Sequence, residues 1–145
     1  MHRIMKTGKR ILIADDDADD KELFIEAVKE IDPYIECITA KDGLHALELL
    51  RDVTCSPPDL IFLDLRMPRF SGKKCLLEIK KDERLRHIPV IIYTTSREVT
   101  ESVELKELGA VHFISKPVNP EELYYLISVV LEEQWNELGN IGLYK

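Results

Sequence analysis

Five short apolar runs, each followed by a helical pattern, constrain this chain more than any other feature of its sequence. The runs occupy 11–14, 35–39, 60–63, 90–94 and 111–115. Each has strand length, and most are continuously apolar or β-branched rather than alternating, as strands covered on both faces are. Between them apolar residues recur at spacings of three and four, which predicts helices over 18–31, 43–52, 72–83, 97–108 and 120–134. Their apolar faces are read as Leu23, Phe24, Ala27, Val28 and Ile31; Leu44, Leu47 and Leu50; Cys75, Leu76 and Ile79; Val99, Val103 and Leu108; and Leu123, Leu126, Ile127 and Val130. Gly109 suits the end of the fourth helix. Asn119 and Pro120 suit the start of the fifth. Strands alternating with helices predict an α/β fold, a doubly wound five-stranded parallel sheet with helices on both faces.

Length and charge narrow the function. The 145 residues suit one domain. Twenty basic against 27 acidic residues leave a net charge of −7. That argues against a nucleic-acid partner and against an anionic membrane surface. No apolar stretch approaches the ~20 residues of a membrane span, and the basic start is followed by only a short apolar run, unlike a signal peptide. Cys37, Cys55 and Cys75 form no metal-binding or redox pair, which fits a reducing, cytoplasmic setting.

In parallel sheets chemistry gathers where strands end at their carboxyl edge. Here the first run ends in Asp15, Asp16 and Asp17, the third in Asp64, the fourth in Thr94, Thr95 and Ser96, and the fifth in Lys116 and Pro117. Acids crowded at one edge need a proton or a divalent cation to neutralise them. A few carboxylates suit Mg²⁺ or Mn²⁺. A lysine and a hydroxyl beside them suit an anion, which points to phosphoryl transfer.

In this order and on these strand ends, ILIADDD at 11–17, LIFLDLRMP at 60–68, Gly72, VIIYTTS at 90–96 and FISKP at 113–117 resemble the receiver domains of two-component response regulators. The resemblance implies a flavodoxin-like sheet in the order 2-1-3-4-5. It implies that Asp64 accepts a phosphoryl group and that Asp15, Asp16, Asp64 and the backbone carbonyl of Arg66 hold the metal. By the same resemblance Thr94 and Lys116 bind the phosphoryl oxygens, Lys116–Pro117 is a bond that is often cis in such proteins, and Thr94 and Phe113 form a switch. The phosphodonor would be a sensor histidine kinase or a phosphotransfer protein. Arg66 and Ser96 stand at positions that, in the family, tune hydrolysis of the acyl phosphate. The short Ser96 side chain favours slow self-dephosphorylation, and Thr95 narrows access.

The layout predicted is a leader over 1–9, a receiver domain over 10–134 and a tail over 135–145, with too little chain left for an output domain. The signal would therefore pass through a downstream protein. Tyr124, Leu131 and Trp135 form a second apolar stripe on the last helix, read as a homodimer or partner surface unless the tail covers it. Asp17, Asp19 and Asp20 are read as caps and first-turn acids. Two competing readings keep the fold or the acids. One is a receiver-like interaction module that is never phosphorylated. The other is a haloacid-dehalogenase-type phosphatase built on Asp15, Asp17, Thr94 and Lys116, which leaves Asp64 without a task and lacks the later acid pair. A calcium loop over Asp15, Asp17, Asp19 and Glu26 fails because Asp20 replaces the turning glycine.

Overall fold

The computed structural model describes residues 9–95 and 98–135. Strands and helices alternate: β1 (Arg10–Ala14), α1 (Ala18–Ile31), β2 (Glu36–Ala40), α2 (Gly43–Arg51), β3 (Leu60–Leu63), α3 (Gly72–Lys81), β4 (Val90–Thr94), α4 (Val99–Glu107), β5 (His112–Ser115) and α5 (Pro120–Gln134). The strands form one parallel sheet in the order β2-β1-β3-β4-β5. This is the flavodoxin-like order, with β3 at the centre.

The continuous apolar runs are explained by two cores. Leu12, Ala14, Ile61, Leu63, Val90 and Ile92 point to one face and pack with Ala46, Leu50, Leu76, Ile79 and Leu105 from α2, α3 and α4. Ile11, Ile13, Leu60, Phe62, Ile91 and Tyr93 point to the other and pack with Phe24, Val28, Ile127 and Trp135. Successive side chains alternate faces, so a strand covered on both faces must be apolar throughout. Phe24 meets Phe62 edge-on with ring centroids 4.7 Å apart, and Tyr93 lies 5.6 Å from Phe24.

Side-chain caps set where four of the helices begin. Asp17, Asp42, Ser71 and Asn119 each accept a bond from the backbone N–H three residues on, which satisfies one of the unpaired donors of the first turn. Gly109 follows α4 with φ of 119°, a left-handed conformation that glycine takes without strain.

Several details differ from the sequence reading. α3 stops at Lys81 because Asp82 closes it, its N–H bonding to the Ile79 carbonyl. α4 begins at Val99, and Val99 and Val103 are exposed while Leu105 is its buried residue. The second stripe on α5 is also corrected. Leu131 is 1% exposed and Trp135 8%, both inside the core shared with α1. Leu131 lies four residues after Ile127 and so widens the buried face. Trp135 is the C-cap, with φ −118° and ψ 54°, and has left the helical projection on which the stripe was drawn. Lys9 covers its ring, Nζ 5.1 Å from the centroid. Of that stripe Tyr124 alone is exposed, so it does not form a continuous interface. The tail offered as its cover, and Ser96, lie outside the described residues. Among those residues no helix is long and apolar enough to cross a membrane.

Candidate phosphoryl-acceptor site

The backbone ladder runs one residue past the strands, and this assembles the site. Asp15 N–H donates to the Ala40 carbonyl and Asp64 N–H to the Ala14 carbonyl, each at 3.0 Å. Asp15 and Asp64 therefore emerge side by side at the carboxyl edge of adjacent strands. Lys116 N–H donates to the Thr94 carbonyl at 2.7 Å, which carries β5 and its lysine along the same edge. Gly72, first in α3, lies so close beneath that a Cβ there would run into the Asp64 carbonyl.

The Lys116 ammonium is the hub. Nζ lies 2.6 Å from Asp15 Oδ2, 2.8 Å from Asp20 Oδ2 and 3.1 Å from Asp64 Oδ2. Three donors meet three carboxylates, which is the full capacity of an ammonium. The Tyr93 ring lies under it at 5.7 Å. The Asp15 side chain is 1% exposed and that of Asp64 7%. Burial pushes the Asp15 carboxyl up to about 6, against the opposing bonds from Lys116 and the Asp17 N–H. Burial acts to depress the Lys116 ammonium, but the bonds to Asp15 and Asp20 and the charges of Asp15 and Asp64 outweigh it, and the net shift is upward.

The sequence-predicted residues come together in part. Asp15, Asp16 and Asp64 each place a carboxylate oxygen within 4.8 Å of the others. Asp15, Asp20 and Asp64 meet one lysine and Asp16 adjoins them, an excess of negative charge that a divalent cation would reduce. The donor set is all oxygen and suits a hard cation. Thr94 is fully buried, and its Oγ1 has no hydrogen-bond partner. A buried unpaired hydroxyl is unfavourable unless something arrives to accept from it. Phe113 is half-buried against the core on the α3–α4 side of the sheet. Arg66 N–H donates to Asp64 Oδ1 at 3.2 Å, while its guanidinium turns outward to Glu101 at 3.2 Å. Lys116–Pro117 is trans, as no cis peptide bond occurs among the described residues.

Sequence reasoning missed Asp20 as a member of the site. It was read as a first-turn acid, and its N–H does bond the Asp17 cap. The first turn of α1 also swings its carboxylate back onto Lys116, 96 residues away in sequence. It missed too that Asp42, besides capping α2, receives two bonds from Arg69, at 3.1 and 2.6 Å, which tie the loop after β3 to that cap.

A parallel sheet in the order β2-β1-β3-β4-β5 with acids, a lysine and an unpaired hydroxyl gathered at its carboxyl edge defines an α/β protein of the flavodoxin-like class. A sequence model of the response regulator receiver domain matches residues 11–128, and the chain belongs to that family, the receivers of two-component signalling. It is 33% identical to the response regulator Rcp1 of Synechocystis sp. over 133 residues, covering 89% of this chain and 90% of Rcp1. It is 36% identical to the phosphate regulon transcriptional regulatory protein PhoB of Pseudomonas aeruginosa over 124 residues, covering 86% of this chain and 52% of PhoB. The chain thus spans about half the length of that relative. The structure of Mn²⁺-bound Rcp1 superposes with a TM-score of 0.78 at 30% identity, covering 86% of this chain and 92% of the other. That of the phosphorylated cyanobacterial phytochrome response regulator RcpA gives 0.80 at 32%, covering 86% and 91%.

Proposed function

We propose that Asp64 accepts a phosphoryl group from the phosphohistidine of a sensor histidine kinase or phosphotransfer protein, and that the product signals by contact with a downstream protein. An Asp64 carboxylate oxygen attacks phosphorus, the P–N bond to the donor imidazole breaks, and the imidazole leaves with a proton. Asp15, Asp16, Asp64 and the Arg66 carbonyl are the residues that would hold Mg²⁺ or Mn²⁺. When bound, such a cation neutralises the acids and the incoming phosphoryl oxygens. Lys116 turns its ammonium from Asp64 to a phosphoryl oxygen. Thr94 donates its free hydroxyl to another and moves inward, and Phe113 follows into the space vacated. Phe113 has no hydroxyl, so packing alone couples it to Thr94. We place the protein in the cytoplasm, where both phosphodonors act.

The observation that carries this reading is the lysine bridge, Nζ within 3.1 Å of Asp64 and 2.6 Å of Asp15 at a strand edge where Thr94 keeps an unpaired hydroxyl. A purely structural lysine would leave that hydroxyl without a purpose. The test is acetyl phosphate with Mg²⁺, read by intact mass. The wild type gains one phosphoryl group and Asp64→Asn gains none. Labelling of Asp64→Asn overturns the site, no labelling of the wild type favours the non-phosphorylated module, and turnover of a phosphomonoester favours the phosphatase. Decay of the labelled form tests slow self-dephosphorylation, and a lifetime of seconds would end it.

A further inference from the structure

We propose that Asp20 is a positioning residue for the phosphoryl site, the anchor that holds the Lys116 ammonium over the acceptor once Asp15 and Asp64 have taken other partners. This rests on the phosphoacceptor reading above and deepens it. Three carboxylates share the ammonium before phosphorylation: Asp15 at 2.6 Å, Asp20 at 2.8 Å and Asp64 at 3.1 Å. Two of them belong to the oxygen cluster of Asp15, Asp16 and Asp64 and are engaged when a cation and a phosphoryl group arrive. The third does not. Asp20 lies outside that cluster, so its bond to Lys116 is the one that survives loading.

The placement of Asp20 suits an anchor. It sits in the first turn of α1, and its N–H is held by the Asp17 side chain at 3.1 Å. One turn on, Phe24 is fully buried, so the helix carrying Asp20 is fixed to the core. Lys116 stands just beyond the end of β5 on a long flexible stem, and a free ammonium prefers water to a crowded site. The Asp20 side chain is 33% exposed and that of Lys116 8%. Of the three acids on this buried ammonium, Asp20 is thus the one that reaches solvent.

The sign of the effect separates anchoring from plain charge. As a bare negative charge beside an anion site, Asp20 would weaken anion binding, and its removal would strengthen it. As an anchor, its removal weakens binding. A partly exposed charge is screened by salt, whereas the direct bond is less so. The experiment measures beryllofluoride affinity of the full chain at saturating Mg²⁺ and high salt, for wild type, Asp20→Asn and Asp20→Glu. Expected are about tenfold weaker binding for Asp20→Asn, recovery of most of that loss by Asp20→Glu, and a change of less than about threefold in affinity for Mg²⁺ alone. In the beryllofluoride complex the Lys116 side-chain NH₃⁺ resonance should be sharp in wild type and lost to exchange in Asp20→Asn. Unchanged or tighter beryllofluoride binding by Asp20→Asn overturns the anchor and leaves the phosphoacceptor reading standing. A large loss of Mg²⁺ affinity makes Asp20 a metal ligand and also overturns it. A wild type that binds no beryllofluoride with Mg²⁺ sinks the phosphoacceptor reading and this inference together.

Discussion

Thr94→Val should make the resting protein more stable and a poorer binder of the phosphoryl group. Thr94 ends β4 with no exposed surface, and its Oγ1 has no hydrogen-bond partner. Valine keeps the β-branched shape that the strand favours and removes only the hydroxyl. A buried polar group left unpaired costs about 1–3 kcal/mol, so the substitution should stabilise the unloaded protein by about 1–2 kcal/mol. With a urea dependence of ~2 kcal/mol/M, the unfolding midpoint should rise by about 0.5–1 M. Binding should move the other way. A hydrogen bond to a charged group is worth ~1.5–3 kcal/mol, so beryllofluoride with Mg²⁺ should bind about 10- to 100-fold more weakly. Urea titrations with and without the ligand read both effects, because a ligand that binds only the folded state raises the midpoint with the logarithm of its affinity. A Thr94→Val protein that unfolds earlier than wild type in the absence of ligand refutes the reasoning, since the hydroxyl would then have a stabilising partner.

Trp135→Ala should destabilise by about 3 kcal/mol, as large-to-small core changes do, and should leave the solution mass unchanged; a shift in mass by sedimentation would restore the interface reading. Asp42 tests pH. The His45 N–H and then the Arg69 guanidinium hold its carboxyl below the ordinary value, so its stabilisation is fully present above ~4 and is lost as pH falls through the lower folded value. The gap in urea midpoint between wild type and Asp42→Asn should therefore be flat from neutral pH down to mildly acidic and close below that; a gap that widens in acid contradicts the assignment. Iodoacetamide at pH 8 should label exposed Cys55 first. Cys75, buried and with its thiol pushed up to about 12 by burial, should stay unmodified until the protein unfolds, as mass spectrometry would show.

Local signals in the sequence carried the architecture. The bounds of β3, β4, α1 and α5 coincide with those read from apolar runs and from Asp17, Asn119 and Pro120, because a cap or a two-sided strand is determined within a few residues. The strand-end residues were legible for the same reason: a parallel sheet makes every strand end a neighbour of the next. What periodicity does not encode is which neighbour a helical face meets. Val99 and Val103 sit at helical spacing yet face solvent, since α4 is buried through Leu105. Leu131 looked surplus to one face, but the core it shares with Ile11 and Phe62 is broad enough to take it. The pairs Asp20–Lys116, Arg66–Glu101 and Arg69–Asp42 join residues 96, 35 and 27 apart, and no spacing rule announces them.

Those long-range pairs also expose an asymmetry in how deeply the elements around the site are buried. Every residue of β3 is buried, whereas every residue of β5 is only half-buried. α4 buries one residue and starts without a side-chain cap bond. It is tied to its neighbours by Arg66–Glu101 at 3.2 Å and Lys73–Glu104 at 2.6 Å, both at the surface. Exposed ion pairs of this kind contribute only ~0–1 kcal/mol each, while displacing a packed central strand disrupts a dense core. Under the proposed function, a phosphoryl group on Asp64 would add charge at the end of the fully buried β3, with the less buried α4 and β5 to one side of it. Arg66, two residues from the acceptor, joins the loop after β3 to α4, and Phe113 lies on β5. In that reading, strain at Asp64 would relax at less cost toward α4 and β5 than through β3, because fewer of their side chains are buried.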